Sequence, residues 1–174
     1  MKVLTTLASI LTLLPGCVSN PSYPTSWDTV LDEKKCPRID GKYLNSGVDH
    51  TGREINLSSF LFRTDNVKAD YVRFTTTNNK VTIDVFNDGE LVINHIENIN
   101  NDYCEDQQVE FDLPETEGGV NRGGVLGYTW ESALFSKNEG DDFLIHHNSS
   151  AIGIVYIIPI IGSAWSWIKF TEIK

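Results

Sequence analysis

Four histidines, three cysteines and a scatter of turn carboxylates are the residues of this 174-residue chain that could do chemistry. His50, His95, His146 and His147 would have to gather on one face to chelate a transition metal. His146 and His147 are adjacent, so on a strand they point to opposite faces. His95 is a candidate partner for one of them. "VFNDGELVINH" (85–95) and "LFSKNEGDDFLIHH" (134–147) share one order: apolar pair, polar turn with glycine, apolar run, histidine. The simpler expectation is histidines near strand ends at the surface, with no metal.

"NINND" (98–102) offers oxygen ligands at alternate positions, but the glycine and distal glutamate of a calcium loop do not follow. Asp84, Asp88 and Glu90 crowd one turn, and Glu139, Asp141 and Asp142 another. They read as solvated turn carboxylates, because a glycosidase needs two carboxyl groups held rigidly about 5–9 Å apart. Neither Gly-x-Ser-x-Gly nor His-Glu-x-x-His occurs. "ETEGGVNRGG" (115–124) has the composition of a loop but not the spacing of a phosphate cradle. No catalytic residue, metal or cofactor is expected.

Strands must hold whatever these side chains do. From Gly41 onward the apolar pattern has period two. "KVTIDVF" (80–86) alternates, "NDGE" (87–90) supplies an Asp-Gly turn, and "LVINHI" (91–96) returns. This is the strongest hairpin signal in the chain. "DYVRFTTT" (70–77), "QVEFDL" (108–113), "LGYTWESALF" (126–135) and "DFLIHH" (142–147) add strands, with turns at Asn78-Asn79 and "SKNEGD" (136–141). The uncharged run 149–168 is long enough for a bilayer span. Its Ile, Val, Tyr and Trp content and its division by Pro159 and Gly162 predict a hairpin turning there instead. The exception to period two is "WDTVLDEKK" (27–35). Ser26 can cap it, and Trp27, Val30 and Leu31 share a face, so a short helix is expected. The predicted fold is all-β: a small antiparallel β-barrel or sandwich, lipocalin-like in one version, with one short N-terminal helix. Inward rings such as Tyr43, Trp130 and Trp165 would either line an apolar cavity or fill a core.

The cysteines set the compartment. Met1-Lys2 precedes an uncharged run, Val3 to Leu14, and Pro15-Gly16 breaks any helix there. That is the build of a secretion signal and is short for a bilayer span. Leu14-Pro15-Gly16-Cys17 resembles the lipobox of bacterial lipoproteins: Leu at −3, a small residue at −1, Cys at +1, here with Pro15 at −2. The resemblance implies diacylglycerol on the Cys17 thiol, cleavage before Cys17 and acylation of the new amino group. Val18 at +2 implies the outer membrane. "CPRIDGKYLNSG" (36–47) resembles small Gram-negative lipoproteins with Cys-Pro and Gly-x-Tyr soon after the anchor, which implies no activity. In an exported chain the remaining pair, Cys36 and Cys104, is expected to form a disulfide; two free buried thiols are the alternative.

The expected organisation is a signal peptide (1–16), a lipidated N-terminus and tether (17–25) stiffened by Pro21 and Pro24, and one β-rich domain (26–174). The formal charge is −10, and −11 once Lys2 leaves with the signal. Such a balance argues against nucleic acid and anionic phospholipid as direct ligands and suits solubility or a basic partner. The expected role is that of a non-enzymatic outer-membrane lipoprotein, on the periplasmic face, acting by protein–protein contact. An inhibitor or immunity-type protein against a basic envelope enzyme is one form of it. The alternatives are a lipocalin-like carrier of a small apolar ligand and a hydrolase with a His–carboxylate site.

Overall fold

Period-two alternation is what lets one face of a strand enter a core while the other meets water, and here it builds one large sheet. The computed structural model describes residues 17–31, 39–64, 67–77, 80–98, 104–105, 108–112, 125–155 and 158–174. Within them lie β1 (Cys17–Ser19), β2 (Gly41–Asp49), β3 (Glu54–Asn56), α1 (Leu57–Phe62), β4 (Tyr71–Thr77), β5 (Lys80–Asn87) and β6 (Glu90–Asn98). β7 (Cys104–Glu105), β8 (Gln108–Asp112), β9 (Val125–Lys137), β10 (Phe143–Val155) and β11 (Ile158–Glu172) follow. The fold is all-β. The main path runs β6-β5-β4-β2-β11-β10-β9-β8-β7, with β3 attached to β2 and β1 to β11. All pairings are antiparallel except that of β1 with β11.

The sheet curls but does not close. β4 and β9 stand four strand spacings apart, roughly 19 Å in a flat sheet. Yet the rings of Phe74 on β4 and Phe135 on β9 lie 6.4 Å apart. Among the described residues β6 and β7 end the path without pairing, so the barrel expectation is corrected to an open, strongly curled sheet. α1 crosses the concave side instead. Phe60 meets the ring of His147 on β10 and Phe62 that of His95 on β6. The amide of Ser58, at the start of this helix, donates to Asn45 Oδ1 from buried β2, so the helix start is satisfied by a distant residue and not by its own N-cap.

The core fills the curl. Tyr43, Phe74, Phe135, Phe143 and Phe170 are fully buried. Phe143 sits at the centre, its ring 5.0 Å from Tyr43, 4.9 Å from Phe74 and 5.1 Å from Phe135. Gly47 makes room for the group: a Cβ there would come within 2.3 Å of the Phe170 ring.

Three local expectations change. Asp88 and Gly89, both at positive φ, do make the tight β5–β6 turn. The long apolar hairpin, however, turns between Val155 and Ile158, which face each other across β10 and β11. Pro159 and Gly162 lie inside β11, Pro159 close to the strand start where a missing N–H is tolerated. Trp27–Leu31 is not helical: Val30 bridges to Asn138, and the Leu31 amide donates to the Lys137 carbonyl, so these residues are drawn out along the sheet. Residues 32–35 of that expected helix lie outside the described residues. The stretch read as a tether starts as β1, and its Tyr23 packs edge-on against Trp27 and Trp167.

Candidate functional site

On the concave face, β9 and β10 bring Glu131 and His147 side by side, and α1 delivers Arg63. Arg63 is the C-cap of α1 in the left-handed conformation, which swings its guanidinium onto Glu131. His147 Nε2 lies 2.9 Å from Glu131 Oε2, the same oxygen that Arg63 holds. A carboxylate only accepts, so His147 is the donor. Burial first, and then the Arg63 charge, push the His147 pKa down to about 4. His147 is therefore neutral at pH 7, and the true ion pair is Arg63–Glu131. Burial also lowers the Arg63 pKa.

This trio is the most chemically loaded cluster among the described residues. A neutral imidazole with its Nε2–H committed to a carboxylate keeps Nδ1 as its only acceptor. Ser166 stands directly opposite His147 in the β10–β11 register, but no hydrogen bond joins them. The spacing Ser166-Trp167-Ile168-Lys169 is a Ser-x-x-Lys pattern that sequence reasoning missed. On a strand, residues three apart face opposite ways. Lys169 accordingly reaches Asp142 at 3.5 Å and the Trp27 ring.

No family model, curated protein or solved structure matches this chain. Its site therefore stands on geometry alone.

The remaining histidines are dispersed. His146, adjacent to His147, points to the convex face and stacks on Trp167 at 4.0 Å and Trp165 at 4.4 Å. Burial and then the nearby His147 lower its pKa to about 4. His95 contacts Glu97 at 3.1 Å, and the amide of His50 donates to the Trp167 carbonyl. Among the described residues no three His, Cys, Asp or Glu gather as a metal site. His95 and His147, which the echo between the two hairpins offered as a candidate pair, contact different phenylalanines of α1, Phe62 and Phe60. Among the turn carboxylates, Asp84 is the exception. It is buried, and Arg73 and Asn94 hold it at 2.7 Å each. Cys36 lies outside the described residues. Cys104 opens β7 opposite Val109, and Cys17 opens β1 opposite Gly162.

The second candidate surface is an edge. β6 has one strand neighbour, β5, among the described residues. It is nine residues long, contains no proline, and exposes Leu91, Val92 and Ile96. Edge strands of this kind present unpaired backbone groups that a further strand can bond.

Proposed function

We propose that this protein is a lipid-anchored protein of the bacterial outer membrane that works by binding another protein. The lipobox resemblance at Leu14–Cys17 supports the anchor, and Val18 at +2 supports the outer-membrane address. The observation that carries the binding role is the outer edge of β6, unpaired among the described residues, with its exposed Leu91, Val92 and Ile96. Glu90 and Glu97 on that strand, within a chain of net charge −10, favour a basic partner strand. Disulfide pairing of Cys36 with Cys104 belongs to the same reading. A loop of that length adds about 4 kcal/mol in the chain-entropy model, so C36S would lower Tm in oxidising buffer only.

Ring-on-ring packing of Tyr43, Phe74, Phe135 and Phe143 occupies the interior that a carrier would need open, which favours surface binding over transport. A hydrolase has one observation on its side, the His147–Glu131 contact. Glu131 is already neutralised by Arg63, and no hydroxyl is bonded to the imidazole, so the trio reads as a structural clasp between α1 and the sheet.

The test is capture from envelope extract at low salt with the wild-type chain and with Leu91→Lys and Ile96→Lys. A basic partner retained by the first and lost by the variants is expected. The same partner on all three, or none on any, would reject the edge.

A further inference from the structure

Resting on the anchor reading only for the identity of the group on Cys17, we propose that the end of the β9–β10–β11 blade dips into the surface of a zwitterionic phospholipid bilayer. Among the described residues the blade outruns its neighbours. β8 pairs with β9 from Ser132 onward, and β2 pairs with β11 from Ile168 onward. Beyond them the three strands continue to Val125, Val155 and Ile158. This extension carries no Asp, Glu, Lys or Arg at 125–130 or 149–168.

Its convex face, the one turned away from the core, is apolar in register. Tyr128, Ile152 and Ile161 stand in one row across the three strands. Trp130, Ser150, Ser163 and Val18 of β1 form the next. Tyr128 is 74% exposed, Val18 73% and Ile161 63%, so four adjacent strands present one continuous apolar patch. Its few polar side chains satisfy one another. Ser150 donates to Ser163 at 3.0 Å, and Ser163 donates to Asn148 at 2.9 Å. Hydroxyls paired in this way can leave water at little cost. Tyr and Trp are the residues that favour the boundary between headgroups and acyl chains.

The position of Cys17 selects the occupant. It pairs with Gly162, between Ile161 and Ser163 of this patch. Acyl chains on Cys17, as in the anchor reading, would therefore start beside the patch and hold it against a membrane. The carboxylates Glu139 and Asp141 lie at the opposite end of β10, thirteen residues or roughly 40 Å away. That separation keeps the turn carboxylates of the far end out of the contact.

The full chain is isolated from envelopes in detergent and its intact mass measured, which reads the group on Cys17. It is then reconstituted into phosphatidylethanolamine–phosphatidylcholine vesicles whose acyl chains are brominated near the glycerol. Tryptophan quenching is expected. Trp130→Phe should remove its largest component, and Ile152→Glu with Ile161→Glu should cut it about threefold, the scale of a charge in the interfacial zone. Ile96→Glu on β6 should leave it unchanged. If the double variant does not fold, Ile152→Asn and Trp130→Phe decide. Quenching indifferent to these substitutions would overturn the proposal. So would its absence, with or without concentration-dependent dimers that the double variant dissolves; such dimers would assign the patch to a second copy. An acylated Cys17 with unquenched Trp130 rejects insertion and keeps the anchor, whereas an unacylated Cys17 with quenched Trp130 does the reverse.

Discussion

His147 on β10 donates to Glu131 on β9 while remaining neutral, because Arg63 already balances the carboxylate and burial penalises a second cation. The fold thus refuses a proton that the unfolded chain accepts. The same holds for His146 between its two indoles. Both pKa values sit at about 4 against 6.5 in the unfolded chain. Their contribution is fully present above the unfolded value and is lost as pH falls through the folded one. Thermal melts should show Tm falling steadily from pH 7 towards pH 4, and His147→Gln should flatten that slope. Asp84 acts lower: burial alone would raise its pKa, but Arg73 and Asn94 outweigh that and hold it below the usual carboxylate range. Its loss therefore follows only as pH drops past the ordinary Asp value.

Arg63 and Glu131 form a pair that is costly to break from one side. Both side chains are largely shielded from solvent, and Glu131 also serves His147. Arg63→Met should destabilise by about 1–3 kcal/mol, since it leaves a shielded carboxylate with only a neutral donor. Arg63→Met with Glu131→Leu should cost less than the sum of the single changes. Urea titrations of the four proteins test this; strict additivity would dissolve the clasp.

Phe143 touches four other core rings. Phe143→Ala should lose about 3–5 kcal/mol, because the rigid ring cluster cannot collapse into the space left. Tyr128→Ala, on the exposed end of the same sheet, should change stability by under about 0.5 kcal/mol. Paired chemical denaturation of the two variants separates core from surface without reference to function.

The legible parts of this chain were those with local punctuation. Asp88-Gly89 between two alternating runs fixed a hairpin because only a few residues accept its positive φ values. The opposite facing of His146 and His147 followed from strand geometry alone. The turn of the β10–β11 hairpin lay hidden inside a uniformly apolar run, where Pro159 and Gly162 drew attention three to six residues too late. α1 spans only six residues, too few to show helical periodicity, and the amide of its second residue, Ser58, is met by Asn45, thirteen positions away. The Arg63–Glu131–His147 cluster joins residues 68 and 16 apart in sequence. No motif announces it, because the curl of the sheet and the left-handed cap at Arg63 bring it together.

Gly47 offers the sharpest single-atom test of that curl. A methyl group there would meet the Phe170 ring at 2.3 Å and the Lys169 carbonyl at 2.4 Å. The first neighbour is a packed core ring and the second is backbone, so neither yields cheaply. Gly47→Ala must push β2 away from β11 at the point where the two strands close over the core. A cost of about 1–3 kcal/mol is expected, as for other overpacked sites. Gly52→Ala is a control of a different kind: nothing lies near its Cβ position, but its φ of +86° strains any other residue, for about 1 kcal/mol. The two variants should differ in hydrogen exchange. Gly47→Ala should speed exchange of β2 and β11 amides together, whereas Gly52→Ala should loosen only the β2–β3 turn. Equal, local effects from both would mean that β2 does not bear on Phe170 as the packing requires.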